Sequence, residues 1–113
     1  MTVEEQVASL RAHNSRGYDV TSFEWLAKLL VRLLDAFHLP RPYIYPTPEG
    51  LARAEWSGSD WEAVASFDLR TQSVGALAAR HDADEMHVLA VALAEPGAES
   101  KLGRFLTEHL STR

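Results

Sequence analysis

The chain has 113 residues, of which 46% are hydrophobic and 24% charged, and its 16 acidic and 11 basic side chains give a net charge of -5. A chain of this length has room for one hydrophobic core, so residues 1–113 are expected to form a single domain. It contains no cysteine. This excludes disulfide bonds, thiolate metal sites and a cysteine nucleophile.

The distribution of charge and hydrophobicity argues against two further kinds of partner. Acidic residues outnumber basic ones along the whole chain and no segment is basic, which disfavours nucleic-acid binding. The most apolar run, residues 25–37, is interrupted by Lys28, Arg32 and Asp35 and falls short of the roughly 20 apolar residues that span a bilayer. The acidic N-terminal segment does not have the pattern of a secretory signal. We therefore expect a soluble, cytoplasmic protein with neither a nucleic-acid nor a membrane partner.

Two capping boxes predict two N-terminal helices. Thr2 and Glu5 form the first box, and Thr21 and Glu24 form the second. In each, the hydroxyl and the carboxylate can satisfy free backbone N–H groups at a helix start. The helices should begin near residues 3 and 22, and the first should fade in the turn-forming segment 14–17.

A continuous apolar stripe marks the second helix, which should end at His38, shortly before Pro40. The stripe residues are spaced three and four apart: Phe23, Leu26, Leu30, Leu33 and Phe37. Trp25, Leu29 and Leu34 make it wider than packing on one sheet requires. Either the first helix or another chain must cover the excess, which makes Trp25 and Leu29 candidate interface residues.

After Pro40 the apolar period changes to two, which predicts strands. Prolines on both sides confine residues 43–45 to an edge strand or an extended arm. Residues 51–56 and 61–69 then form a predicted hairpin around a turn at 57–60.

The length of this turn predicts the hairpin register. Trp56 should face Trp61, and Glu55 should face Glu62. Like charges directly opposite each other are destabilising. The two carboxylates therefore either serve acid–base chemistry or lie on the solvated face.

The C-terminal third predicts two more strands and a helix. Residues 71–81 are rich in alanine and compatible with a helix, but Gly75 and the alternation across residues 86–93 favour a strand pair. Pro96 suits the first turn of a closing helix. Its apolar stripe consists of Leu102, Phe105, Leu106, His109 and Leu110. The predicted class is α+β: two N-terminal helices, an antiparallel meander of four to five strands, and a C-terminal helix packed on one sheet face.

The turn Pro46-Thr-Pro48-Glu49-Gly50, followed by a strand ending in Glu55-Trp56, resembles a family of small uncharacterised bacterial proteins. The family pattern is a P-x-P-D/E-G turn before a strand that ends in Glu-Trp. Where the family usually has a second glycine, this chain has Leu51. The resemblance implies the same α+β layout and carries no assigned activity, so it implies no catalytic residue.

The densest polar cluster is the segment from His81 to His87, where His81, Asp84 and His87 offer ligands suited to a divalent metal. Their spacing matches no standard metal motif, and acidic turns commonly serve solubility. No nucleophile motif and no glycine-rich phosphate loop occurs. The sequence thus predicts no catalytic residue, no metal, no cofactor and no nucleotide.

The aromatic residues favour a role in protein–protein contact. Tyr43 and Tyr45 lie between prolines on the predicted edge strand, where a second chain could pair, and tyrosine is enriched at interfaces. With Trp25 and Leu29 they form the candidate interface. The leading hypothesis is a non-enzymatic interaction or regulatory module, a homodimer or the partner of another protein. The alternative is a small metal-assisted hydrolase or nuclease centred on the His81–His87 turn.

Overall fold

The computed structural model describes residues 2–12, 17–58 and 60–110, and it has the α+β architecture expected from the sequence. Two helices precede five strands, and a third helix closes the chain. The elements are α1 (Val3–Ala12), α2 (Val20–Phe37), β1 (Tyr43–Pro46), β2 (Ala52–Ser57), β3 (Trp61–Asp68), β4 (Ser73–Arg80), β5 (Glu85–Ala92) and α3 (Ala98–Leu110). The strands form one antiparallel sheet in the order β1-β2-β3-β4-β5.

The first capping box is confirmed and the second is wrong. The Thr2 N–H donates to Glu5 Oε1 at 2.7 Å, and the Glu5 N–H donates to Thr2 Oγ1 at 3.1 Å. At α2 the N-cap is Asp19, whose carboxylate accepts the Ser22 N–H at 3.2 Å. The hydroxyl of Thr21 donates to the same carboxylate at 2.8 Å. A stronger cap two residues upstream therefore starts the helix earlier than the sequence pattern indicated.

The ends of the two N-terminal helices are described to different extents. Most of the segment 14–17, where the first helix was expected to fade, lies outside the described residues; Gly17 itself has φ 73°. Helix α2 is capped at its C-terminus by His38, which adopts the left-handed conformation with φ 54° and donates its N–H to the Leu34 carbonyl. The predicted end of the second helix is confirmed.

Helix α1 covers the surplus width of α2, so this chain itself supplies the cover. Its apolar residues Val3, Val7 and Leu10 are all buried in the common core. Leu29 is only 1% exposed, and Trp25 is half-buried against the same core. Leu29 therefore presents no surface to another chain in this structure, and Trp25 presents only part of its ring.

The sheet face beneath the helices is lined mainly with alanine. Six alanines from the three central strands are buried there: Ala52, Ala54, Ala63, Ala65, Ala76 and Ala78. The bulky side chains of the core come largely from the helices, including Leu26 and Leu30 of α2 and Leu102 and Leu106 of α3. Small strand residues opposite large helix residues allow the two layers to pack closely.

The predicted hairpin register is wrong by two residues. Trp56 pairs with Ala63, and Glu55 pairs with Val64, because the connection covers residues 58–61. The Gly58 N–H donates to the Trp61 carbonyl at 2.9 Å; Ser59, in the same turn, lies outside the described residues. A register shift of two residues leaves each side chain on the face of the sheet predicted for it. The carboxylates of Glu55 and Glu62 are therefore not opposite each other.

The C-terminal elements resolve the ambiguity over residues 71–81: Ser73–Arg80 form strand β4, and the rest of that segment is turn, not helix. The alternation across β5 places Leu89 and Val91 on the helix side, as expected. Helix α3 begins at Ala98, after Gly97 with φ 81°, so Pro96 precedes the helix and does not occupy its first turn.

Candidate interaction surface

The two histidines weighed as candidate metal ligands, His81 and His87, lie on different faces of the sheet. His81 Nε2 lies 3.4 Å from Glu62 Oε1, and Glu62 is on the face that the helices leave uncovered. His87 lies on the opposite face, where its ring stacks on that of His109 with centroids 4.6 Å apart. Within residues 2–12, 17–58 and 60–110, no group of three or more His, Asp or Glu side chains could hold a metal ion. The fold therefore does not assemble His81, Asp84 and His87 into one site.

The histidine pair joins β5 to α3. The ring of His109 also contacts Phe105, with centroids 4.7 Å apart. Glu85 lies 3.9 Å from His87 and Glu108 lies 3.8 Å from His109. Burial lowers the pKa of His109, the charge of His87 lowers it further, and the two carboxylates act in the opposite direction.

The lowered pKa of His109 makes stability pH-dependent. Because the folded state binds this proton less readily than the unfolded state, stability should fall as pH drops below about 6.5, the ordinary histidine value, and level off below the lowered folded pKa. We expect His109→Gln to weaken this acid-side loss in thermal melts recorded between about pH 7.5 and 5. Wild-type and variant melting curves that shift in parallel over that range would contradict the assignment.

The tyrosines of β1 lie on the uncovered face of the sheet. Tyr43 is 67% exposed, whereas Tyr45 is half-buried and donates its hydroxyl hydrogen to Glu55 Oε1 at 3.0 Å. Their rings are 5.3 Å apart. The expected exposure is therefore observed for Tyr43 and is only partial for Tyr45.

The free edge of β1 is closed by α1 of the same chain. The Ile44 N–H donates to Gln6 Oε1 at 2.7 Å, and Gln6 Nε2 donates to the Pro42 carbonyl at 3.0 Å. Alternate residues of a strand direct their backbone groups to the same side. After Ile44, the next residue whose backbone points outward is therefore Pro46, which has no N–H. The edge on which the sequence suggested pairing with a second chain is thus occupied.

On the opposite edge, β5, no cap of this kind is present among residues 2–12, 17–58 and 60–110. The Leu93 N–H donates to the Gln72 carbonyl at 2.9 Å. The odd-numbered residues of β5 therefore face β4, and the backbone groups of the even-numbered residues point away from the sheet. The outward set is Met86, Val88, Ala90 and Ala92. Strand β5 contains neither proline nor lysine, the residues that commonly guard an edge.

The same outward residues also form an exposed apolar surface. Met86 is 67% exposed and Val88 73%, and Ala90 and Ala92 are exposed as well. Val88 is in register with Leu77 of β4, which is in register with Val64 of β3. We define the β5 surface as Leu77, Met86, Val88, Ala90 and Ala92. At this surface, backbone groups with no hydrogen-bond partner in the described part of the chain lie beside exposed apolar side chains.

A shallow cavity of about 470 Å³ overlaps the β5 surface, and Val64, Gly75 and Arg53 also line it. Gly75 has no heavy atom within 4 Å of the position that a Cβ would occupy, and its φ is not positive. Neither crowding nor backbone conformation therefore requires glycine there. Because Gly75 has no side chain, the β4 backbone is accessible from the uncovered face of the sheet. Glycine within a strand often marks a site that a ligand or another backbone approaches closely.

Comparison of the chain with protein-family models, with curated proteins and with solved structures returned no match. The suggested likeness to small bacterial proteins therefore stays a prediction. Among the described residues, no helix is both long and apolar enough to cross a membrane. The class that the structure defines is a five-stranded α+β fold, and all three helices of its described residues lie on one face of the sheet.

Met86 and Val88 were not among the predicted interface residues, although the sequence carries a signal for them. Residues 86–94 contain no charged side chain apart from the titratable His87, and apolar residues fall on both faces of β5. That pattern is typical of a strand whose two faces are both covered.

Proposed function

We propose that the protein is a non-enzymatic protein–protein interaction module and that its contact site is the β5 surface. One observation carries this proposal. An unguarded strand edge and four exposed apolar or small residues, Met86, Val88, Ala90 and Ala92, coincide on β5, whereas the β1 edge is closed by Gln6. Open edges of this kind are sites of strand addition by a partner.

The chemistry of the surface supports a protein as its occupant. Extended backbone supplies both donors and acceptors to an open edge, and the neighbouring pockets take alternate side chains. Exposed apolar patches on folded proteins commonly mark such contacts. The metal-assisted hydrolase considered as an alternative gains no support, because His81 and His87 lie on opposite faces of the sheet.

Site-specific photo-crosslinking in native lysate tests this function. A photoreactive amino acid replaces Val88 in one sample and Ala36, an exposed residue of α2, in a matched control. Crosslinks to protein, either to the same chain or to another, are expected from position 88 and not from position 36. No adduct from position 88, or equal adducts from both positions, would contradict the proposal.

A further inference from the structure

We infer that the occupant of the β5 edge is a second copy of this chain. Its β5 would pair antiparallel with the first β5 across a two-fold axis and join the two sheets into one continuous ten-stranded sheet. This inference rests on the proposed function, because it names the partner of the same surface.

Backbone geometry permits this pairing. The N–H and C=O groups of Met86, Val88, Ala90 and Ala92 point away from β4. In an antiparallel two-fold pair each copy contributes the same residues, so every outward group of one strand meets an outward group of the other. The eight residues of β5 provide an edge about 27 Å long.

The side chains of β5 favour a copy of itself over an ordinary edge strand. Leu89 and Val91 on the helix side are only half-buried, and Met86 and Val88 on the other side are exposed. A strand placed beside β5 must therefore present apolar side chains to both layers. β5 itself carries apolar residues on both faces. With the two-fold axis at residue 89, Leu89 faces its counterpart in the other copy on one face, and Met86 and Val88 face Ala92 and Ala90 on the other.

Charge is also compatible with self-pairing. The one carboxylate within β5 is that of Glu85, at its first position. With the two-fold axis at residue 88 or 89, the two copies of Glu85 are about 20–27 Å apart along the paired strands. That distance exceeds the screening length of about 8 Å at physiological salt. Although each chain carries a net charge of -5, like charges do not face each other across the paired strands.

Sedimentation velocity on the full chain and on charge variants of Val88 tests the inference. The wild type is expected to be dimeric at about 100 µM, a concentration at which a micromolar contact is largely assembled. Val88→Lys and Val88→Glu should each be monomeric, because two-fold pairing brings like charges together near the axis. An equimolar mixture of the two should recover the dimer, a result that requires both strands to come from copies of this chain.

Two further variants separate edge pairing from other arrangements. Ala90→Lys repeats the test at a second exposed position and covers the case in which a Val88 variant does not fold. Val64→Lys places the same charge on the same sheet face, two strands or about 10 Å from the β5 edge. It should leave the dimer intact, and loss of the dimer in Val64→Lys would overturn edge pairing in favour of face-to-face packing.

The outcomes distinguish this inference from the proposed function. A wild type that stays monomeric at every concentration while position 88 crosslinks to a different protein would overturn the inference and leave the interaction function standing. A monomeric wild type with no adduct at position 88 would overturn both. A dimer that persists in Val88→Lys and in Ala90→Lys would also overturn the inference.

Discussion

Replacing Gln6 by leucine is expected to lower the free energy of unfolding by about 2–4 kcal/mol, because it leaves two buried backbone groups without partners. Gln6 is 6% exposed and bonds both the Ile44 N–H and the Pro42 carbonyl. Leucine has a similar size, so the loss should come from hydrogen bonding more than from packing. Urea denaturation at neutral pH measures it.

The conservative variant Gln6→Glu separates the two hydrogen bonds. Glutamate can still accept the Ile44 N–H, but only its protonated form can donate to the Pro42 carbonyl. Burial beside that carbonyl should raise the pKa of the new carboxyl in the folded state. Its stabilising effect is then present at acidic pH and is lost as pH rises through the raised value. A variant with a constant stability difference from wild type across this range would refute the role of the Pro42 bond.

Replacing Gly103 by valine is expected to destabilise the protein by about 3 kcal/mol, because a Cβ at this position would overlap the ring of Phe37. Gly103 lies in α3 and is buried where that helix meets α2. The overlap involves several atoms of the ring, so relief requires the whole side chain to move. The gain in helix propensity over glycine, about half a kcal/mol, does not offset this strain.

Gly75→Val is the matched control for Gly103→Val. A Cβ at Gly75 meets no heavy atom within 4 Å, and valine favours a strand over glycine. Its unfolding free energy, measured at low protein concentration, should therefore equal or exceed that of the wild type. In addition, Phe37→Leu should recover part of the loss in the Gly103→Val background. Equal effects of valine at the two positions would show that the close approach of α2 and α3 is not what requires glycine.

The errors made from sequence have local physical causes. Thr21 and Glu24 match a capping box, but Asp19 lies two residues earlier and is a stronger cap, so two valid signals competed. In the hairpin, each side chain lies on the same face of the sheet whether the turn covers residues 57–60 or residues 58–61. Hydrophobic alternation therefore could not choose between the two registers, and the hydrogen bond from Gly58 to Trp61 decides it.

The candidate surface was harder to predict because it depends on contacts between distant parts of the chain. Gln6 lies 36 and 38 residues from its two partners, and it occupies the buried stripe of α1 with Val3, Val7 and Leu10. A polar residue in an apolar stripe indicates a specific buried partner, although the stripe does not say which one. Only the packed structure shows that this partner is the edge of β1.

The order and type of the elements, the apolar faces of α2 and β3, and the α+β class follow from the sequence by itself. They depend on periodicity and capping, which involve residues a few positions apart. Tertiary structure decided which sheet edge is closed and which is open, that α1 covers α2, and that His81 and His87 face opposite sides. These properties depend on contacts between residues that are far apart in the sequence, and a local sequence pattern does not specify such contacts.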